Sequence, residues 1–347
     1  MKPAIPRGGR IAADIRTALS RPPLDRAVVA SLLEPFGLTL TSRVHNASAG
    51  SRNPVLVANT NRGRVVVKRY PDRWASETIV HEHSILNRLA QLDFPAVRAI
   101  ETVSGSTWVE HPEGRFVVFE HVEGTSYAGY RFTPGLRATL MDEAARLLAR
   151  LQLMLADFSP EGIHHLGHDP DDGSRRRDTT WLLETLDRAL ATHDARTVDL
   201  AWLADDRDRI RSTLVDTGEE LAAAALFTTV IHGDFGIHNL IFPDLHHPVV
   251  HDFELARRDW RLVDLAITVA RLRPPAASSF LAAYRNHAAI DESEWREFPT
   301  VWRHYHLVGA IQGLATFMDH GGDHRLAAAK LRHFHAFSRP AWMREVP

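Results

Sequence analysis

At 347 residues, with 44% hydrophobic and 24% charged side chains, the chain has an ordinary folded composition and more length than one core comfortably fills. A net charge of −2 gives no basic footprint for nucleic acid, and the absence of cysteine excludes disulfides, thiolate metal sites and a cysteine nucleophile. No apolar run approaches bilayer length and the N-terminus is not of signal type, so a cytoplasmic protein with no membrane and no nucleic-acid partner is expected.

Residues 1–23, punctuated by Pro3, Pro6, Gly8, Gly9, Pro22 and Pro23, read as a flexible leader around one helical piece, Ile11 to Leu19. From Leu24 the apolar spacing of Val28, Val29, Leu32 and Leu33 predicts a helix that Gly37 ends. Strands follow at Thr39–Val44, Val55–Val57 and Arg64–Tyr70, then a helix over Trp74–Leu92. Two further strands, at Thr107–Val109 and Phe116–Glu120, flank the turn His111–Gly114. This is an α+β pattern: a small antiparallel sheet with one inserted helix over 24–120, a hinge at 121–125, and a larger, mostly helical lobe over 126–347. In that lobe a long amphipathic helix is predicted at Pro134–Asp157, with others at Trp181–Leu190, Leu200–Leu214 and Gly218–Ala225. A charged loop at Asp169–Asp178 interrupts them, a short β segment occupies Thr229–Phe253, and helix resumes from Leu262 to Phe337.

The stretch from Val230 to Phe242 reads as strand, polar loop and strand, with His232-Gly233-Asp234 in the loop and Asn239 at its end. After the turn at Pro243-Asp244, Val249-Val250 leads into His251-Asp252-Phe253-Glu254. If the two β pieces pair, Asn239 and Asp252 share one end of a hairpin, with Asp234 on the loop entering it. One carboxylate and one amide are what the hard ion Mg2+ asks of a protein when phosphates and water complete its shell. Asp252 and Asn239 fit as metal ligands, and Asp234 as the group that orients an attacking hydroxyl and accepts its proton late. Taken alone, His-Gly-Asp is a common turn; the joint spacing carries the reading. His232 is expected to brace the loop, and His238 to face solvent.

A phosphoryl donor needs cations on its phosphates. Lys68 ends the apolar run Val65-Val66-Val67. On the following helix Ile79, Glu82, Leu86 and Leu89 share one stripe, and a carboxylate on an apolar face demands a partner, for which Lys68 is the candidate. The loop Asn46–Asn53 holds only one glycine; its backbone from Ser48 through Gly50 to Ser51 is expected over the phosphates. Glu120 and Val122, in the connector, are expected to meet the adenine through backbone groups.

Together these residues resemble the aminoglycoside phosphotransferase and choline kinase group, a branch of the protein-kinase-like fold. The resemblance spans about Leu24 to Phe337. It rests on Lys68, Glu82, Val122-Glu123-Gly124, His232 to Asn239, Asp252-Phe253-Glu254 and Asp264-Leu265-Ala266. It implies a bilobal, ATP- and Mg2+-dependent kinase that phosphorylates a hydroxyl of a small molecule, with Asp264 capping its helix or bracing the loop. His251 departs from the aliphatic residue usual before the metal-binding Asp.

An amino sugar or aminoglycoside is the preferred acceptor, with an amino alcohol such as homoserine or choline as the alternative. The acids of the C-terminal half, Asp291, Glu292, Glu294, Glu297, Asp319 and Asp323, are interspersed with Arg and His, and Glu292–Glu297 reads as a solvated helix face. A silent pseudokinase is the rival from another class. A histidine metallohydrolase, suggested by His81-Glu82-His83, lacks the required His-Glu-x-x-His spacing.

Overall fold

The computed structural model describes residues 24–46, 55–72, 74–128, 130, 132–164, 179–192 and 207–319. The expected leader, the charged loop at 169–178 and the helix pieces beyond 319 lie outside them. The described residues form two compact units: one runs to Ile79 and includes Leu86–Glu123, the other holds Val80–Ile85 and the chain from Gly124 on.

The first unit opens on helix α1 (Arg26–Leu33), whose first turn is capped by Asp25: its Oδ1 accepts from the Val28 N–H at 2.8 Å. A 3-10 turn, Glu34–Phe36, follows, and Gly37 stops it at φ 65°, a left-handed angle that favours glycine. The strands are β1 (Leu40–Asn46), β2 (Val55–Thr60), β3 (Gly63–Arg69), β4 (Trp108–His111) and β5 (Gly114–Glu120). They form one sheet in the order β1-β2-β3-β5-β4, each pair antiparallel. Helix α2 (Ser76–Gln91) is inserted between β3 and the β4–β5 hairpin. Alternation along β2 buries Leu56 and Ala58, which join Val65, Val67 and Val118 in a core closed by Val29, Leu32, Leu33 and Phe36. Each such apolar side chain contributes about 1.5–3 kcal/mol on burial.

The second unit is built on helix α3 (Pro134–Met154), which packs along α7 (Pro274–His287). Leu140, Leu147 and Leu151 of the predicted stripe are buried in α3. Helices α4 (Thr179–Thr192) and α5 (Arg207–Ala223) pack on α9 (Phe298–Asp319); α6 (Arg261–Ala270) and α8 (Glu292–Arg296) complete the set. Short strands β6 (Thr228–Ile231) and β9 (Arg257–Trp260) pair antiparallel, as do β7 (Leu240–Ile241) and β8 (Val249–Val250). An α+β architecture is thus found, with the sheet in the N-terminal part and helices after it.

Two elements differ from the sequence reading. Gly218 was expected to open a new helix, yet α5 runs through it. A Cβ there would lie 3.2 Å from Thr179 Oγ1 and 3.9 Å from His304 Cε1, so the glycine serves close packing. Strand β9, Arg-Arg-Asp-Trp, has no apolar alternation and was not predicted; its pairing with β6 creates it. Among the described residues no helix is long and apolar enough to cross a membrane.

Candidate active site

Strand β6 carries the chain into the loop His232–Gly236, and a 3-10 turn, Ile237–Asn239, delivers it to β7. Leu240 pairs with Val250 and Ile241 with Val249, and the His251 N–H extends the ladder to Asn239 O at 3.0 Å. Asn239 and Asp252 therefore stand at the same end of one hairpin, as its apolar pattern predicted. Asp252 adopts φ 68°, ψ 61°, a left-handed conformation that costs a non-glycine residue roughly 1–2 kcal/mol.

The loop is seated from beneath. Asp264, in the first turn of α6 and fully buried, accepts from the His232 and Gly233 N–H groups at 2.8 Å each. Of the two roles expected for it, Asp264 takes the bracing one, since α6 has no side-chain N-cap. Gln152 of α3 fixes it in turn: Nε2 donates to Arg261 O (3.0 Å) and to Asp264 Oδ2 (3.4 Å), while Oε1 accepts from the Tyr284 hydroxyl at 2.6 Å. Burial pushes the Asp264 carboxyl up to about 6 against the pull of these N–H groups.

His232 braces the same loop. Its Nε2 faces His251 O at 3.0 Å and its Nδ1 accepts from the Asp234 N–H at 3.2 Å, which specifies the neutral Nε2–H tautomer. Burial lowers its pKa to about 4. It is the backbone of His251 that serves Asn239 and His232, so the departure at that position leaves the loop's bonding intact. Gly233 sits at φ 77°, and a Cβ there would fall 2.0 Å from Leu255 O and 2.7 Å from Arg257 Nη1. Gly233→Ala is expected to cost about 1–3 kcal/mol from φ alone and to expel the loop from its seat. A thermal melt and a turnover assay check this; an unshifted melting temperature would show that the loop can relax.

Asp234 points its carboxylate into a polar cluster with 20% of the side chain exposed. Asn239 Nδ2 donates to Asp234 O at 2.9 Å and to Oδ2 at 3.2 Å, which fixes the amide and leaves its oxygen, Oδ1, directed away. Arg271 ion-pairs with Asp234 Oδ1 through Nη2 and donates to His238 Nε2 through Nη1. His238 also lies 3.5 Å from Asp234 Oδ2, but a nitrogen that accepts from Arg271 cannot donate there, so the guanidinium is the carboxylate's main partner. Burial pushes the Asp234 carboxyl up, but its neighbours, the Arg271 guanidinium among them, hold it below its ordinary value. His238 is thus half-buried in the cluster rather than facing solvent.

Arg271 was missed by the sequence reading, although a signal existed. Asp264, Thr268 and Arg271 are spaced i, i+4, i+7 in a helix otherwise apolar from Leu262 to Ala270, so they share one stripe. All three engage the loop: Asp264 its first two N–H groups, Thr268 Oγ1 the Phe235 carbonyl at 3.0 Å, Arg271 the Asp234 carboxylate.

The remaining expected residues belong to other parts of the chain. Lys68 is buried in β3 of the first unit, its Nζ 5.6 Å from the Tyr70 ring centroid. Glu82, 2% exposed, lies on the turn of α2 that belongs to the second unit, next to His81, whose Nε2 bonds Ala256 O at 3.1 Å. Glu120 ends β5 with its N–H already given to Arg98 O at 3.0 Å, and Val122 is half-buried two residues on. Ser48, Gly50 and Ser51 lie outside the described residues. Gly124 marks a close approach: a Cβ would sit 2.6 Å from Phe242 O, whose residue exchanges backbone bonds with Thr125 at 2.8 and 3.0 Å.

Three of the acids considered for a polycationic acceptor, Asp291, Glu292 and Glu294, are engaged structurally. Glu294 is buried on Arg261, with Nε at 3.0 and 3.1 Å, and also accepts from the Phe227 N–H. Glu292 pairs with Arg285, and Asp291 caps α8 through the Ser293 N–H at 2.7 Å. The expected solvated face is therefore partly an interior one, because Arg261 reaches it from α6.

No curated protein sequence matches the chain. Among solved structures it resembles amicoumacin kinase hAmiN in complex with AMP-PNP, Ca2+ and Ami (14% identity, TM-score 0.62, 94% of this chain and 95% of that one). It also resembles an aminoglycoside phosphotransferase from Alicyclobacillus acidocaldarius (16%, 0.62, 94% and 96%) and choline kinase LicA from Streptococcus pneumoniae (12%, 0.60, 90% and 98%). At such identities the likeness is one of fold, and the fold is that of these kinases. The model of the family described as "Phosphotransferase enzyme family" matches residues 43–298, from β1 through the loop seated on Asp264 to the start of α9. With most of its length inside that match, including the His232–Asn239 loop and Asp252, this chain belongs to the phosphotransferase enzyme family.

Proposed function

We propose that the protein transfers the γ-phosphoryl group of ATP, with Mg2+, to a hydroxyl of a small molecule. The observation that carries this reading is the locked amide of Asn239. Its nitrogen is committed to Asp234, so its oxygen is the free end, at the hairpin end that also bears Asp252. Two oxygen donors and no third protein ligand suit an ion that shares its shell with phosphates and water, and among the described residues no group of three His, Asp or Glu gathers as a metal site. Magnesium held by Asn239 and Asp252 would neutralise charge developing on the β and γ phosphates.

Asp234 receives the acceptor hydroxyl. As the acceptor oxygen bonds to the γ-phosphorus and the bond to the β–γ bridging oxygen breaks, the hydroxyl proton passes to the Asp234 carboxylate and ADP leaves. A carboxyl held below its ordinary value is a weak base, so its work is orientation and late proton acceptance, which a loose transition state tolerates. In this reading Lys68 and Glu82 serve the α and β phosphates, Ser48, Gly50 and Ser51 cover them, and Glu120 and Val122 meet the adenine. The acceptor is read as a small hydroxylated molecule. The amino sugar preferred from the family resemblance gains no support from Asp291, Glu292 or Glu294, whose carboxylates are engaged.

The test is ADP release from ATP over a panel of amino sugars, aminoglycosides and amino alcohols, with Mg2+ titrated. Asp252→Asn keeps a residue that tolerates the left-handed backbone and is expected to raise the Mg2+ requirement by about tenfold or more. An unchanged Mg2+ dependence would remove Asp252 from the metal site. Nucleotide binding without turnover on any acceptor would favour a binding module instead.

A further inference from the structure

We infer that Arg271 determines acceptor specificity and selects molecules that carry an oxyanion, a carboxylate or phosphate, close to the reacting hydroxyl. This rests on the reading of Asp234 as the group that receives that hydroxyl. An acceptor placed on Asp234 arrives beside the Arg271 guanidinium, because Nη2 of Arg271 is already on Asp234 Oδ1. The guanidinium is held there by α6, whose same stripe carries Asp264 and Thr268 onto the loop.

Arg271 has donors to give. Of its five N–H groups, one serves Asp234 and one His238, and 49% of the side chain is exposed. The remaining fork matches a carboxylate or phosphate in shape and charge. The surroundings point the same way. No Asp or Glu occurs between Asp264 and Asp291, while Arg271 and exposed Arg273 both lie in the short link between α6 and α7. Asp234, the carboxylate at hand, has its charge met by Arg271. An ammonium group beside the reacting hydroxyl would meet the Arg271 cation and no carboxylate from this link. An oxyanion would meet the open side of the guanidinium and would relieve Asp234 of part of its partner as the hydroxyl docks.

The experiment compares matched hydroxylated molecules differing only in one group two to four bonds from the hydroxyl: carboxylate, phosphate monoester, carboxamide or ammonium. ADP release from ATP and Mg2+ is measured for the native chain, Arg271→Gln and Arg271→Lys, with circular dichroism to confirm folding. In the native chain kcat/KM is expected to favour an anionic member over the carboxamide and the ammonium member. Arg271→Gln should lower the anionic-to-carboxamide ratio by about tenfold or more, chiefly through KM, the scale of one lost charge-assisted bond. Arg271→Lys should recover part of it, and the carboxylate and phosphate arms identify which oxyanion is preferred. Equal losses across all members, or native preference for the ammonium member, would overturn the inference and leave Arg271 as a support for Asp234. Turnover of no member despite ATP–Mg2+ binding would also overturn it, whereas failure to bind nucleotide at all would overturn the kinase reading itself.

Discussion

Asp234→Asn is expected to lower kcat by about 10²–10⁴-fold, the range for loss of a positioned acid–base group. The variant keeps the side-chain volume and one of the two oxygens, which can still meet either Asn239 or Arg271, and it leaves untouched the two N–H groups that seat the loop on Asp264, so the loop should hold its shape. What is lost is the negative charge that, in the proposed reaction, orients the hydroxyl and takes its proton. Equilibrium binding of ATP–Mg2+ should persist, since the metal ligands assigned are Asn239 and Asp252. Rapid-quench turnover beside nucleotide titration separates the two effects. A kcat within tenfold of the native value would mean that Asp234 does not receive the proton.

Asp264→Asn is expected to cost about a hundredfold in turnover with only a small change in melting temperature. The carboxylate accepts two backbone N–H groups, and an amide nitrogen would confront one of them and shift the loop, where a displacement on the order of 1 Å costs about 10²-fold. Stability follows a different balance. The Asp264 pKa of about 6 means that burying its charge outweighs the favourable N–H groups, so removing the charge offsets much of what the lost bonds cost. The residue is therefore kept for the geometry of the loop. A large fall in melting temperature with turnover intact would reverse this assignment.

The pH dependence follows from the same pair of buried groups. His232 has its pKa lowered from 6.5 to about 4, so its stabilising contribution is present above pH 6.5 and is lost as pH falls toward 4, about 3 kcal/mol in all. Asp264 has its pKa raised, so its contribution is present below its ordinary 3.8 and is lost as pH rises through about 6. The two slopes oppose each other between pH 4 and 6. Activity is expected to fall below pH 6, as Asp264 takes a proton and one of its oxygens stops accepting, while the melting temperature stays comparatively level. Parallel loss of both on acidification would show that His232 dominates.

Much of this protein is legible in its sequence. Termination at Gly37, the period-two strands and the Leu140–Leu147–Leu151 stripe are local signals, set by backbone sterics and side-chain period, and they gave the elements within a few residues. The hairpin that brings Asn239 and Asp252 to one end was equally readable, because register across a short turn is fixed by the alternation itself. Long-range packing was not. Strand β9 exists because β6 pairs with it, the glycine at 218 sits mid-helix where Thr179 and His304 come close, and Glu294 is interior because Arg261 reaches it from another helix. The same holds at the site. Asp264, Thr268 and Arg271 form a stripe that spacing alone could have flagged, but only the docking of α6 against the His232–Gly236 loop turns that stripe into a seat for two N–H groups and a cation on Asp234. Sequence determined which groups can do the chemistry, since that depends on residue type and local spacing. Tertiary structure decided what surrounds them, since a charge 37 residues away along the chain acts on Asp234 only when the fold carries it there.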